Sequence, residues 1–100
     1  MVQIKWTDQA VLDLKEIADY ISRDSKKYAK HQIQSIKQRT QILKKNPFSG
    51  QILDFFNHPE VRQLVEGNYL IIYRIKSELR IDIVSIHHTS RDLAKRKLEL

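Results

Sequence analysis

"DQAVLDLKEIADYISRDSKKYAKHQIQSIKQRTQILKKNP", residues 8–47, is the stretch on which the fold turns. Ala10, Leu14, Ile17 and Ile21 recur at spacings of four, three and four residues. On an α-helix that spacing gathers them on one face, while Lys15, Glu16, Asp19 and Ser22 fall away from it. After "SRDSKK" a second stripe runs through Ala29, Ile33, Ile36, Thr40 and Leu43. Two stripes joined by a short polar link read as an antiparallel helical hairpin over residues 8–45. A single kinked helix is the competitor, because no Gly or Pro interrupts those residues. Asp24 or Ser25 as a fresh N-cap favours the hairpin. The second helix is expected to end near residue 45, with lysines in its last turn, Asn46 available for a left-handed cap and Pro47 unable to continue it.

Upstream, "VQIKW" (residues 2–6) alternates: Val2, Ile4 and Trp6 point one way, Gln3 and Lys5 the other, the period of a strand over residues 1–6. Thr7 offers an N-cap hydroxyl and Asp8 a negative charge in the first helical turn. Downstream, "NPFSGQILDFFNHPE" (residues 46–60) holds both prolines and one of the two glycines and reads as a long irregular loop. Three strand candidates follow between residues 62 and 88: "RQLVE", "NYLIIYRIK" and "ELRIDIVSIH". Gly67-Asn68 makes the first turn and "KSEL" the second. The two longer strands are apolar at both parities. A sheet of that kind is covered by the helices on one face and occupied on the other by something else. Helices followed by strands indicate an α+β domain: an N-terminal strand, a helical hairpin, a three-stranded antiparallel meander and a short C-terminal helix in the tail 89–100.

The 100 residues fit one domain. With no cysteine, neither a disulfide framework nor a thiolate metal site is available. No apolar run approaches the roughly 18–20 residues of a membrane span, and "MVQIKWTDQ" is not a signal peptide, so the cytoplasm is the default location. The formal net charge of +6 suits nucleic acid or an acidic protein partner. With two glycines there is no Gly-rich phosphate cradle, and no Ser sits in an elbow-like context, so no cofactor is expected. His87 and His88 alternate across a strand and do not readily share one metal ion with Asp92.

The remaining chemistry is basic. Arg62, Arg74, His88 and Arg91 gathered on one sheet face would hold a phosphodiester, arginine neutralising the phosphate and His88 moving the proton, as in metal-free RNA cleavage. Structural roles compete with each. Arg62 has Glu60 and Glu66 to pair with, and Arg74 has Asp82. A turn closing at Ser77-Glu78 would instead set Arg74 opposite Arg80 or Ile81. Tyr69 and Tyr73 share a strand face, for base stacking or for packing under the helices. At the C-terminal end, Thr89 with Asp92 three residues later fits a capping box, with Ser90 at the cap as the near alternative, which makes "SIHHTSRDL" (residues 85–93) a strand-to-helix junction.

In their order and spacing, Trp6, Ala10, the pair Asp13-Leu14, Ile17, Tyr20-Ile21 and Asp24-Ser25, followed by "YLIIYRI" (69–75) and "SRDL" (90–93), resemble the RelE/ParE superfamily of bacterial toxins from type II toxin–antitoxin pairs. The likeness spans nearly the whole chain and points to the ParE, or plasmid-stabilisation, branch. It implies growth arrest by inhibition of DNA gyrase, neutralisation by a cognate antitoxin and a hetero-oligomer with it. The RelE-like alternative it implies is a ribosome-dependent mRNA endonuclease. There Arg62 would meet the scissile phosphate and His88 would stand where some nucleases place a catalytic histidine. "SGQILDFFNHPE" lacks the lysines some nucleases carry in that loop, and Thr89 replaces a terminal tyrosine. A third reading is a non-toxic module retained for binding its antitoxin.

Overall fold

The computed structural model describes residues 2–53, 58–98 and 100. β1 (Gln3–Trp6) leads through Thr7 into α1 (Asp8–Ser22), and a three-residue link leads into α2 (Lys26–Arg39). β2 (Gln51–Ile52), β3 (Val61–Glu66), β4 (Tyr69–Ser77) and β5 (Arg80–His88) complete one sheet of order β1-β5-β4-β3-β2. Two hydroxyls punctuate the hairpin. Thr7 Oγ1 accepts from the Ala10 amide at 3.2 Å, and Ser25 Oγ from the Tyr28 amide at 3.1 Å. Ser25, one of the two N-caps expected, therefore decides hairpin over kinked helix.

Several expectations are corrected. The α-helix stops at Arg39 rather than near 45, and Thr40–Lys44 tighten into a 3-10 turn. Thr40 lies wholly buried there, its hydroxyl donating to Lys37 O at 2.6 Å. The meander is part of a larger mixed sheet. β2 sits inside the loop read as irregular, and β1 pairs in parallel with β5 from Gln3–Arg80 to Trp6–Ile83. Arg74 lies opposite Asp82, not Arg80 or Ile81, because the turn closes at Glu78-Leu79, with Ser77 opposite Arg80, and a register shift falls between Ile75 and Ser77; the first shift along β4 falls further from the turn, between Ile72 and Tyr73. The C-terminal helix is one 3-10 turn, Leu93–Lys95, capped by Asp92 and not by Thr89. The Ser90 amide donates to His88 Nδ1 (3.1 Å) and His87 Nε2 lies 3.0 Å from Arg91 O, so residues 88–91 are held as a turn and helical geometry starts later.

The first register shift leaves Val84 as an extra residue, with Ile72 opposite Ser85 and Tyr73 opposite Ile83. Such a bulge swaps the facing of everything beyond it. Ile81, Ile83 and Ile86 therefore all lie under the helices with Ala10, Leu14, Ile36, Leu43, Ile71 and Tyr73, and Val2, Ile4 and Trp6 pack against this core as their alternation predicts. Val84 turns to the opposite face with Leu53, Val61 and Ile72. Apolar character at both parities is thus explained. The cover on that second face comes from the chain itself: Leu93 is buried in it, and Leu98 and Leu100 pack against it. Among the described residues no helix is long and apolar enough to cross a membrane.

Tyr73 ties the loop after α2 to the sheet. Its ring is fully buried, its hydroxyl donates to Pro47 O (2.8 Å) and it accepts from the Gly50 amide (2.9 Å). Burial pushes the phenol above its ordinary value of 10.0, opposed in part by the Gly50 bond and the nearby Arg62 charge. Gly50 has no room for a side chain: a Cβ there would lie 2.5 Å from Tyr73 Oη and 2.7 Å from Gln63 O. Gly50→Ala should destabilise the protein by about 1–3 kcal/mol, the usual cost of overpacking, as a lowered midpoint in urea with unchanged slope.

Candidate functional site

β1 has four residues and β5 has nine, so the parallel pairing runs out at Ile83. Thr7 extends it by one step: its amide donates to Ile83 O, and its hydroxyl lies 3.0 Å from both Ile83 O and Val84 O. Beyond, Asp13 on α1 closes the edge. Its carboxylate, 5% exposed, accepts from the Ile86 amide (2.9 Å) and from Ser85 Oγ (2.7 Å). Arg96 reaches back from the tail to the same carboxylate at 2.7 and 2.8 Å, and its other terminal nitrogen donates to Ile86 O at 3.3 Å. Both edge-facing groups of Ile86 are therefore taken by one ion pair. Gln9 Nε2 adds a bond to Asp13 Oδ1 at 2.9 Å.

His87 is buried beside this pair. Arginine cannot accept, so the 3.3 Å contact from Arg96 makes His87 Nδ1 the acceptor and leaves Nε2 to donate to Arg91 O at 3.0 Å. A cleft of about 360 Å³ opens here between α1 and the tail, with Glu16, His88, Arg91, Asp92 and Lys95 on its walls. Its charges are mixed, which suits neither a simple anion nor a cation. Among the described residues no group of three or more His, Cys, Asp or Glu stands together as metal ligands.

Of the four residues singled out in the sequence, the structure brings two together. His88 and Arg91 share a second, smaller cleft with Tyr20, Tyr69 and Ser90. Arg62 lies opposite Tyr73, whereas His88 lies opposite Tyr69. Four residues along the strands, about 13 Å, and two strand spacings, about 10 Å, separate them. Arg62 pairs with neither Glu60 nor Glu66. It donates to Phe48 O (3.1 Å) and Gly50 O (2.9 Å) with its guanidinium 5.2 Å from the Phe48 ring, clamping the loop that Tyr73 also holds. Arg74 lies on the tail-covered face, opposite Val61 and Asp82, and donates to Leu100 O and to Glu60 (3.1 Å). Asp82 pairs instead with Arg80 at 2.8 Å. The Glu60 carboxyl is held below its ordinary value, first by a backbone amide and further by His58 and Arg74. Arg62 and Arg74 thus point to opposite faces of the sheet, and no single phosphodiester lies within reach of all four residues.

Asp13, Ser85, His87 and Arg96 are the constellation that sequence reasoning passed over. One signal was available: Asp13 follows Ala10 by three and precedes Ile17 by four, which places a carboxylate on the apolar stripe of α1.

The family model of the ParE toxin of the type II toxin-antitoxin system, parDE, matches residues 4–93. Among solved structures, the chain is similar to one from the chromosomal ParDE toxin–antitoxin system of P. aeruginosa. The two share 27% sequence identity at a TM-score of 0.73, over 88% of this chain and 96% of that one. Comparison with curated proteins returned no match.

A double-mutant cycle measures the edge closure. Arg96→Ala leaves the Asp13 carboxylate buried with three neutral donors, the Ile86 amide, Ser85 Oγ and Gln9 Nε2, and no counter-charge, and Asp13→Ala orphans the Ile86 amide. Each should cost about 3 kcal/mol, as for a buried pair broken from one side. The double variant should lose less than the sum by about 1.5–3 kcal/mol of coupling. The half-exposed pair Arg80–Asp82 should couple by less than about 1 kcal/mol in the same guanidinium titrations.

Proposed function

The chain belongs to the ParE toxin family of type II toxin–antitoxin systems, and from that premise we propose that it arrests growth by inhibiting DNA gyrase and is neutralised by a cognate antitoxin. The observation that carries this is the family match across residues 4–93, which takes in both helices and every strand but for Gln3, the first residue of β1. ParE-like members act on gyrase through protein contacts, so they need a folded basic surface and not an assembled active site. The arrangement of the basic residues supports the same reading. Arg62 clamps a loop, Arg74 binds the tail and Glu60, and they face opposite ways. A nuclease would need them beside His88.

The antitoxin partner is supported by the similarity to a structure of a ParDE system and by the formal net charge of +6, which suits an acidic or amphipathic segment. In the cell the toxin would then exist mainly as a hetero-oligomer in the cytoplasm, with release of the antitoxin exposing the gyrase-binding surface. Binding alone suffices for poisoning if the toxin favours the cleaved-DNA state of gyrase over the resealed one, since a ligand shifts such an equilibrium only by its differential affinity.

In a supercoiling reaction, the purified protein at micromolar concentration should reduce supercoiled product and increase cleaved DNA, and equimolar antitoxin should restore activity. Undiminished supercoiling, together with A-site cuts in toeprints of translating ribosomes, would contradict the proposal and assign the nuclease activity. His88→Ala should then slow cleavage roughly 100-fold, the scale of a lost general acid or base.

A further inference from the structure

The end of the molecule where α1 meets α2 carries an aromatic and basic cluster that neither the core nor the Asp13 closure uses. Tyr20 is 69% exposed and Tyr28 55% exposed. Tyr20 lines a cleft with Tyr69, and Tyr28 stands in the first turn of α2, just across the link that follows α1. Tyr69 stands edge-on to the His88 ring at 5.2 Å, with the ring planes at 88°. His88 is fixed in turn. The Ser90 amide donates to its Nδ1 (3.1 Å), and Ser90 Oγ lies 2.6 Å from the same atom, so Nε2 is the nitrogen left to donate outward from the turn. Between Tyr20, Tyr69, His88, Ser90 and Arg91 lies a cleft of about 220 Å³, and no carboxylate lines it among the described residues.

The arginines make the case sharper. The chain has seven. Arg39, Arg62, Arg74, Arg80 and Arg96 each donate side-chain hydrogen bonds to protein acceptors. Among the described residues, Arg23 and Arg91 are the two whose guanidinium groups make no such bond and no ion pair. Both belong to this cluster: Arg91 lines the cleft, and the Arg23 guanidinium lies 5.9 Å over the Tyr20 ring. Exposed aromatic faces beside unspent guanidiniums and a hydrogen-bonding imidazole suit a ligand that offers flat rings and phosphates together. Bases of a single strand have free faces, whereas those of a duplex are already stacked.

We propose that this cluster is a stacking site for single-stranded nucleic acid, with Tyr20 and Tyr28 under the bases and Arg23 and Arg91 on the phosphates. The site goes beyond gyrase inhibition and does not depend on it, since the binding requires no other protein. It would give the toxin a direct hold on a strand exposed in the complex it attacks.

Fluorescence anisotropy of a labelled oligothymidylate of about 10 nucleotides, within the usual span of small single-strand binders, tests the site without gyrase. The wild-type protein should bind it at low salt and bind the matching duplex less tightly. Tyr20→Ala and Tyr28→Ala should each weaken binding roughly tenfold or more. Arg91→Ala should reduce the slope of log affinity against log salt by about 0.7. Thermal melts should stay at the wild-type temperature for all three, because the side chains lie at the surface. Lys76→Ala, at the opposite end of β4, should leave binding unchanged. A matched oligouridylate identifies the source: the tighter of the two strands names DNA or RNA, and either keeps the site. Absence of binding at low salt, equal affinity for the duplex, or tyrosine variants that bind like the wild type would each overturn the proposal.

Discussion

The architecture depends on closing one strand edge. β5 is the most buried strand, yet β1 covers only part of its outer side. An uncovered edge in a buried strand leaves backbone donors and acceptors without partners and invites pairing with other chains. Here the deficit falls on Ile86. A carboxylate from α1 takes its amide and a guanidinium from the tail takes its carbonyl, each holding the other. One pair therefore joins the first helix to the last strand and the C-terminal segment, both more than 70 residues further along the chain. Removing two charges from water offsets most of their attraction. The pair's main effect is placement: it sets where α1 lies along β5 and which way the tail leaves the sheet.

That direction has a consequence for the second face. Once Arg96 is anchored, Leu93, Leu98 and Leu100 lie over Leu53, Val61, Ile72 and Val84, and Arg74 meets Leu100 O at the far end. Arg74 is thereby drawn into holding the tail, and Arg62 on the other face into holding the loop at Phe48–Gly50. Basic residues that look free for chemistry in a one-dimensional sequence are spent on structure. Among the described residues, the two arginines left without such a bond, Arg23 and Arg91, lie at the aromatic end.

How much could be read without coordinates follows from range. The helical hairpin, the Thr7 and Ser25 caps, the turn at Gly67 (φ 57°) and the three long strands are local consequences of period and turn chemistry, and they are where the residues say. The parallel pairing of β1 with β5 is not local, and two residues of β2 are too few to show a period. A single extra residue, Val84, decides which face His87 and His88 take, and nothing in "IDIVSIHH" marks it. The cap at Thr89 failed because the spacing was right while the His87 and His88 imidazoles, bonded to Arg91 O and to the Ser90 amide, already held the turn. Asp13 was visible as a charge on an apolar stripe, but its partners lie too far along the chain to be named.

Native-state hydrogen exchange at the Ile86 amide tests the edge closure most directly. This amide should exchange as slowly as the ladder amides of β4 and β5, and Arg96→Ala should accelerate it selectively while the Ile71 amide keeps its protection relative to the global stability of the variant. An Ile86 amide that exchanges in the wild type at the rate of an open strand edge, or that does not respond to Arg96→Ala, would contradict that closure.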